Sequence, residues 1–240
     1  MQNDIDIINS FDEIAKTNIK TNDWSPTNHY YKRLLKMCCS NQANILDIGC
    51  GEGDFVRLAA EKGYSCTGID FASEMIKKAE TYNADILDKC NFVCGNAYDV
   101  LEDMPVNSFD AVYSFAAMHH MEYAKIIPIL SKCVKKGGFF AVVDLYKNTS
   151  SLLDCLIYIP GFIASKFKRP KRKRNKKSEN DINIGLYKRN RKAWDEHWKI
   201  DLGLGFIVPF KEIKKRLKAT GTKFKIKRLL YFRYMVIIYF

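Results

Sequence analysis

Apolar residues along the chain change their spacing in a repeating way. Before position 40 they fall at helical intervals (Tyr31, Leu34, Leu35, Cys38), which predicts a helix over 28–40. Residues 44–48 form a short apolar run ending in glycines and read as a buried strand. Helical spacing returns over 54–62 and stops at Gly63. A second strand is predicted over 65–70, and a second helix, opening on a serine cap, over 73–83. Strands at 91–94, 109–115 and 138–145, with a helix over 123–134 between the last two, continue the alternation. Strand and helix in turn predict a parallel sheet covered on both faces.

The pattern changes after Asp144. An apolar helix is predicted over 150–165, a short helix over 190–198, and a basic amphipathic helix over 210–219, ended by Gly221. Residues 223–230 and 233–239 then flank a short turn and predict a closing antiparallel hairpin. The fold class is therefore α/β: a Rossmann-like, seven-stranded, mostly parallel sheet with an antiparallel C-terminal hairpin. Residues 1–240 read as one domain. It divides into an N-terminal helical lid (1–40), a ligand-binding core (41–147), an insertion (148–200), and the final helix and hairpin (201–240).

Composition narrows the class. At 240 residues, 47% hydrophobic and 28% charged, the chain can bury a core and is neither disordered nor a disulfide scaffold. No apolar run reaches the ~20 residues of a membrane span, and the first residues carry no export signal, so a cytoplasmic protein is expected. The eight cysteines include no CxxC pair, and no metal is expected in the protein. Charge is distributed unevenly: the net +12 arises from a front of 165 residues at −6 joined to a basic rear. Residues 166–177 hold nine positive charges and no acid. Such a run draws an anionic partner, whether an acidic peptide, a nucleic acid or an acidic membrane surface. Nucleic acid is the less favoured, because no aromatic residues are interleaved for stacking.

The chemistry concentrates in Ile45-Leu46-Asp47-Ile48-Gly49-Cys50-Gly51-Glu52-Gly53-Asp54-Phe55, where a strand runs into glycines and then a helix. Open α/β sheets bind ligands beyond the carboxyl ends of their strands, at such a turn. Asp70 closes the next strand, 17 residues after Gly53, where a carboxylate can accept ribose hydroxyls. A pyrophosphate is disfavoured: the glycines stand at positions 1, 3 and 5 rather than 1, 3 and 6, and Asp47 and Glu52 would repel it.

With that motif the chain resembles the class I S-adenosylmethionine (SAM)-dependent methyltransferases over roughly residues 10–147. Gly68-Ile69-Asp70, Gly95-Asn96-Ala97, Phe109–Ser114 and Lys135-Lys136-Gly137-Gly138 match further segments of that family, although Asp is commoner where Asn96 stands. The resemblance implies SAM as donor and S-adenosylhomocysteine as product. It implies that Asp47, Gly49, Cys50, Gly51 and Gly53 hold the amino-acid end, Asp70 with Phe71 the ribose, and Asn96 and Ala97 the adenine. Ser114 is expected on the cofactor side of strand four.

Catalytic candidates are His119 and His120, after strand four, and His197, which has Asp201 four residues on. Acceptor-side candidates are Tyr30, Asp144 and Trp194, with Lys171 and Arg172 of the basic run. The implied reaction is methyl transfer, with oxygen of an anionic or polar acceptor as the leading target. That acceptor is a small metabolite or a modified peptide of natural-product biosynthesis, a peptide carboxylate included. An RNA methyltransferase and a non-catalytic SAM-binding, membrane-associated protein stay open as alternatives.

Overall fold

The computed structural model describes residues 2–17, 27–38, 42–149 and 177–240. Seven strands form one sheet in the order β3-β2-β1-β4-β5-β7-β6. They are β1 (Asn44–Ile48), β2 (Ser65–Asp70), β3 (Cys90–Cys94), β4 (Phe109–Phe115), β5 (Val134–Leu145), β6 (Phe224–Leu229) and β7 (Arg233–Tyr239). The first five are parallel, and β7 runs antiparallel to both β5 and β6. The chain reverses its direction across the sheet between β1 and β4. That is where an open α/β sheet leaves a crevice at its carboxyl edge.

Strand pleating explains both covered faces. Ile45, Ala111, Tyr113, Ala141 and Val143 point to one side and pack with Leu34, Phe55, Val56 and Ala59. The last three of these belong to α3 (Asp54–Glu61), while Leu34 lies in α2 (Tyr31–Leu35). Leu46, Ile48, Val112, Phe140 and Val142 alternate to the other side, against Leu101, Ile126, Leu130 and Leu217. These come from α5 (Ala97–Glu102), α6 (Tyr123–Cys133) and α8 (Phe210–Ala219); α4 (Ser73–Tyr82) flanks β2 and β3. Strands apolar on both faces read as continuous hydrophobic runs, which is why the sheet is legible in sequence.

The differences lie in the helices. Residues 28–40 were expected to be one helix, but they open as a 3₁₀ turn, Asn28–Tyr30, followed by only five α-helical residues. The helix expected over 190–198 is the end of a 27-residue helix, α7 (Lys177–Gly203). Strand β5 begins at Val134 instead of 138, bringing Gly137 into the strand at φ +84°. A further helix, α1 (Gln2–Thr17), places Ile7, Phe11, Ile14 and Ala15 along one face. Ile14 and Ala15 are buried against Ala72 and Met75 at the start of α4, with Ala193 of α7 packed beside them. The helix expected over 150–165, and the basic run with Lys171 and Arg172, lie outside the described residues apart from Lys177. No helix among the described residues is long and apolar enough to cross a membrane.

Candidate active site

The loop after β1 passes through three residues with left-handed backbone: Gly49 (φ +75°), Gly51 (φ +53°) and Gly53 (φ +80°). The amides of Gly49 and Cys50 both donate to the Ile69 carbonyl, at 2.8 and 3.0 Å, which ties the loop to the end of β2. Asp70 completes the arrangement. Its Oδ2 accepts from the Gly51 amide at 2.9 Å and its Oδ1 from the Ala72 amide at 3.0 Å. One carboxylate thus fixes both the glycine turn and the entry to α4, while keeping lone pairs for a ligand. Burial pushes the Asp70 carboxyl above the usual carboxylate range, against the pull of those amides.

Asp47 sits beneath the loop, 2% exposed, and its Oδ1 has no hydrogen-bond partner. Burial, with Asp70 nearby, drives its carboxyl well above the ordinary value. A buried carboxylate left this way is costly unless a positive group meets it, so the loop is suited to a cationic ligand. On the far wall, the Asn96 side chain accepts from the Tyr98 amide at 2.9 Å and caps α5. An aspartate in its place would make the same bond, which accounts for the tolerance of Asn here.

Two adjoining cavities open on this edge. One, of about 230 Å³, is lined by Gly49, Asp70, Phe71, Asn96, Ala97 and His120. The other, of about 260 Å³, is lined by Phe11, Cys50, Tyr31, Ala117, His120 and Trp194. Of the three candidate histidines, His120 alone lines both. The turn after β4 aims it there through Ala116, which is held at φ +56° with its amide on the Val143 carbonyl at 2.9 Å. A non-glycine residue in that conformation stores ~1–3 kcal/mol and belongs to a turn fixed by its surroundings.

His119 faces away, into a buried polar cluster. Its amide and its Nδ1 reach the two oxygens of Asp144, at 2.6 and 2.8 Å. Its Nε2 lies 3.5 Å from Asp201, while His197 Nε2 lies 3.1 Å from the same carboxylate. His197 Nδ1 meets Ser10 Oγ at 3.0 Å. Burial opposes a charge on His119, but Asp144 and Asp201 outweigh it and raise this imidazole to about 10. His120 moves the other way, down to about 3, through burial and the neighbouring His119. Despite burial, the imidazoles of His119 and His197 hold Asp201 well below the usual carboxylate range.

Several expected site residues converge: Gly49, Asp70, Phe71, Asn96, Ala97 and His120 share one cavity, with Cys50, Gly51 and Trp194 on the adjoining one. Others do not line either cavity. Ser114 is fully buried and donates to the Ile48 carbonyl at 2.9 Å, pinning β4 to β1 beneath the loop. Gly53 supports the turn, with Asn83 and Phe92 packed where a side chain would go. Tyr30 lies against His29, and its neighbour Tyr31 lines the second cavity. Asp144 orients His119 and takes no place on the cavity walls. Sequence reasoning missed Ser10, Phe11 and Phe206. Phe11 packs on His197, with centroids 4.3 Å apart, and Phe206 lies 5.2 Å from His120.

Comparison with known proteins agrees with this geometry. Residues 46–142 match the family model described as a methyltransferase domain. Over 110 residues the chain is 31% identical to the ubiquinone biosynthesis O-methyltransferase of Idiomarina loihiensis, covering 45% of each. Over 104 residues it is 31% identical to the 27-O-demethylrifamycin SV methyltransferase of Amycolatopsis mediterranei, covering 42% of this chain and 38% of that one. The match thus spans less than half the length of each of these two relatives. In fold it is similar to a SAM-dependent methyltransferase from Aquifex aeolicus, with a TM-score of 0.55, 14% identity, and 89% and 93% of the two chains covered. A putative SAM-dependent methyltransferase from Methanococcus maripaludis gives 0.54 and 15%, covering 89% and 84%. Residues 46–142 therefore carry a methyltransferase domain, set in a sheet whose fold the chain shares with SAM-dependent methyltransferases of known structure.

Proposed function

We propose that this chain transfers the methyl group of SAM to an oxygen of a polar or anionic acceptor, a small molecule or a modified peptide, with a carboxylate as the narrower target. One observation carries the reading. The glycine loop, Asp70 and the Asn96 wall surround one cavity, and His120 stands where that cavity meets its neighbour. Two relatives at 31% identity that are named as methyltransferases, one expressly an O-methyltransferase, support oxygen as the target. The basic rear of the chain supports an anionic acceptor.

The residues present fit the donor. Asp47 offers a buried carboxylate oxygen without a partner, and at Gly51 a side chain would meet no protein atom within 4 Å, so the backbone is open to a ligand there. Asp47 and the loop would hold the amino-acid end, Asp70 the ribose, and Asn96 and Ala97 the adenine. When bound, the donor supplies an electrophilic methyl on a sulfonium sulfur. The protein's task is then to line up the acceptor and exclude water, worth as much as ~7–11 kcal/mol in model reactions. Phe11, Tyr31 and Trp194 supply the apolar walls for that exclusion. A carboxylate acceptor is already ionised at pH 7 and needs no base, so the chain need only position it.

Two measurements test this. Asp70→Ala is expected to weaken SAM binding by roughly 10- to 100-fold in a calorimetric titration, the worth of hydrogen bonds to a charged acceptor at ~1.5–3 kcal/mol. Unchanged affinity would remove Asp70 from the site. Methyl-labelled SAM incubated with anionic acceptors is expected to give a product whose label is released by mild base, as from an ester. A base-stable product would overturn the carboxylate target.

A further inference from the structure

The cluster behind His120 has features that hydrogen bonding among its members does not explain. Both oxygens of Asp201, 1% exposed, and both ring nitrogens of His120, whose side chain is 9% exposed, lack hydrogen-bond partners. Yet His119 Nε2, His120 Nε2 and His197 Nε2 stand 3.5, 3.9 and 3.1 Å from the Asp201 oxygens. Nε2 of His119 and Nε2 of His197 face Oδ2 of Asp201, and Nε2 of His120 faces Oδ1, so three ring nitrogens converge on one buried carboxylate. Buried polar atoms left in this state are costly, and several in one place call for a further partner.

The outer nitrogens specify what that partner is. Asp144 is acceptor-only, so the His119 nitrogen facing it, Nδ1, carries the hydrogen. Ser10 donates its own hydrogen to the Ile7 carbonyl at 2.7 Å, so it accepts from His197 Nδ1. Both rings are thereby fixed with Nε2 toward Asp201. A carboxylate behind an imidazole whose other nitrogen looks inward is the usual support of a metal ligand.

The geometry points to a divalent transition-metal site, of the zinc type, formed by His119, His120 and Asp201. Their ligand atoms lie within 4.8 Å of one another. Nitrogen and oxygen ligands on a tetrahedral zinc ion lie about 3.3 Å apart, and His119 Nε2 stands 3.5 Å from Oδ2 and His120 Nε2 3.9 Å from Oδ1 of Asp201, so an ion would draw the three side chains closer together. Asp144 positions His119, and the His197 ring stands behind Asp201, 3.1 Å from its Oδ2. Two imidazoles and a carboxylate suit zinc or cobalt and leave a coordination position open. His120 lines both cavities, so the site lies directly behind their shared wall, and an acceptor oxygen is the ligand that an ion there would hold near the methyl group. This role rests on the methyl-transfer reading; the ion site itself does not.

The test uses the full chain, stripped with chelator, dialysed, and titrated separately with Zn²⁺ and Co²⁺. One ion per chain is expected, with a cobalt spectrum free of the thiolate charge-transfer bands that the cysteines would produce. His120→Phe keeps an aromatic ring in place and removes no hydrogen bond, so the ion-free variant should unfold at or above the wild-type temperature. Its ion affinity, and that of Asp201→Asn, should fall at least ~10-fold. No uptake, a thiolate spectrum, or affinity unchanged in both variants would overturn the site. SAM binding measured on the same preparations separates the two readings. Ion uptake without donor binding would sink methyl transfer alone, and donor binding without ion uptake would sink the metal site alone.

Discussion

Gly49→Ala should weaken SAM binding at least ~30-fold, while Gly63→Ala, at a similar backbone angle, should leave it intact. Both glycines have left-handed backbone, φ +75° and +89°, so alanine is strained at either position by ~1–3 kcal/mol. What differs is the space around them. A Cβ on Gly63 meets nothing within 4 Å, whereas one on Gly49 would stand 2.3 Å from the Ala117 Cβ. Ala117 has no flexible side chain to move aside. The preceding residue is pinned by the Ala116–Val143 hydrogen bond, and Gly49 is itself pinned to Ile69 at 2.8 Å. Relief therefore requires the two loops to part, and both of them line the donor cavity. Overpacking adds ~1–3 kcal/mol to the strain. Together these predict a loss of at least ~30-fold in affinity, at about 1.4 kcal/mol per tenfold. Calorimetry on the two variants decides: equal affinities would show that close approach of the β1 and β4 loops does not shape the site.

The same contrast shows what the sequence discloses and what it withholds. The parallel strands were legible because burial on both faces writes them as apolar runs, and the Gly49–Gly53 turn because only glycine fits repeated positive φ. Asp70 was legible because its place at a strand end is a local property. Helix α1 was not predicted in detail, because its partners lie far along the chain: Ser10 and His197 are 187 residues apart. The roles of Asp144 and Asp201 were hidden for the same reason, since neither is near His119 in sequence. His197 and Asp201 at helical spacing were visible as a pair, but nothing local shows that the turn after β4 meets them.

Asp144→Ala is expected to cost ~3–5 kcal/mol of stability, lowering the unfolding temperature by roughly 6–20 °C for a chain of this size. Asp144 is fully buried at the end of β5, and three N–H groups share its two oxygens. Oδ1 accepts from His119 Nδ1 at 2.8 Å and from the Leu145 amide at 2.7 Å; Oδ2 accepts from the His119 amide at 2.6 Å. Alanine leaves all three donors in the interior without an acceptor, at ~1–3 kcal/mol each before relaxation. Asp144→Asn separates shape from chemistry. An amide has one acceptor oxygen, so whichever way it is turned its NH₂ faces a donor, and at least one of the three bonds is replaced by a donor–donor contact. The asparagine variant should therefore lose ~1–3 kcal/mol despite its matching size. If it melts with the wild type, the carboxylate is not what holds His119, and the buried histidine–aspartate cluster is packed by shape alone. If it falls as predicted, the turn that carries His119 and His120 is held by one acidic side chain. That side chain then sets both the wall of the donor cavity and the orientation of the inner imidazole.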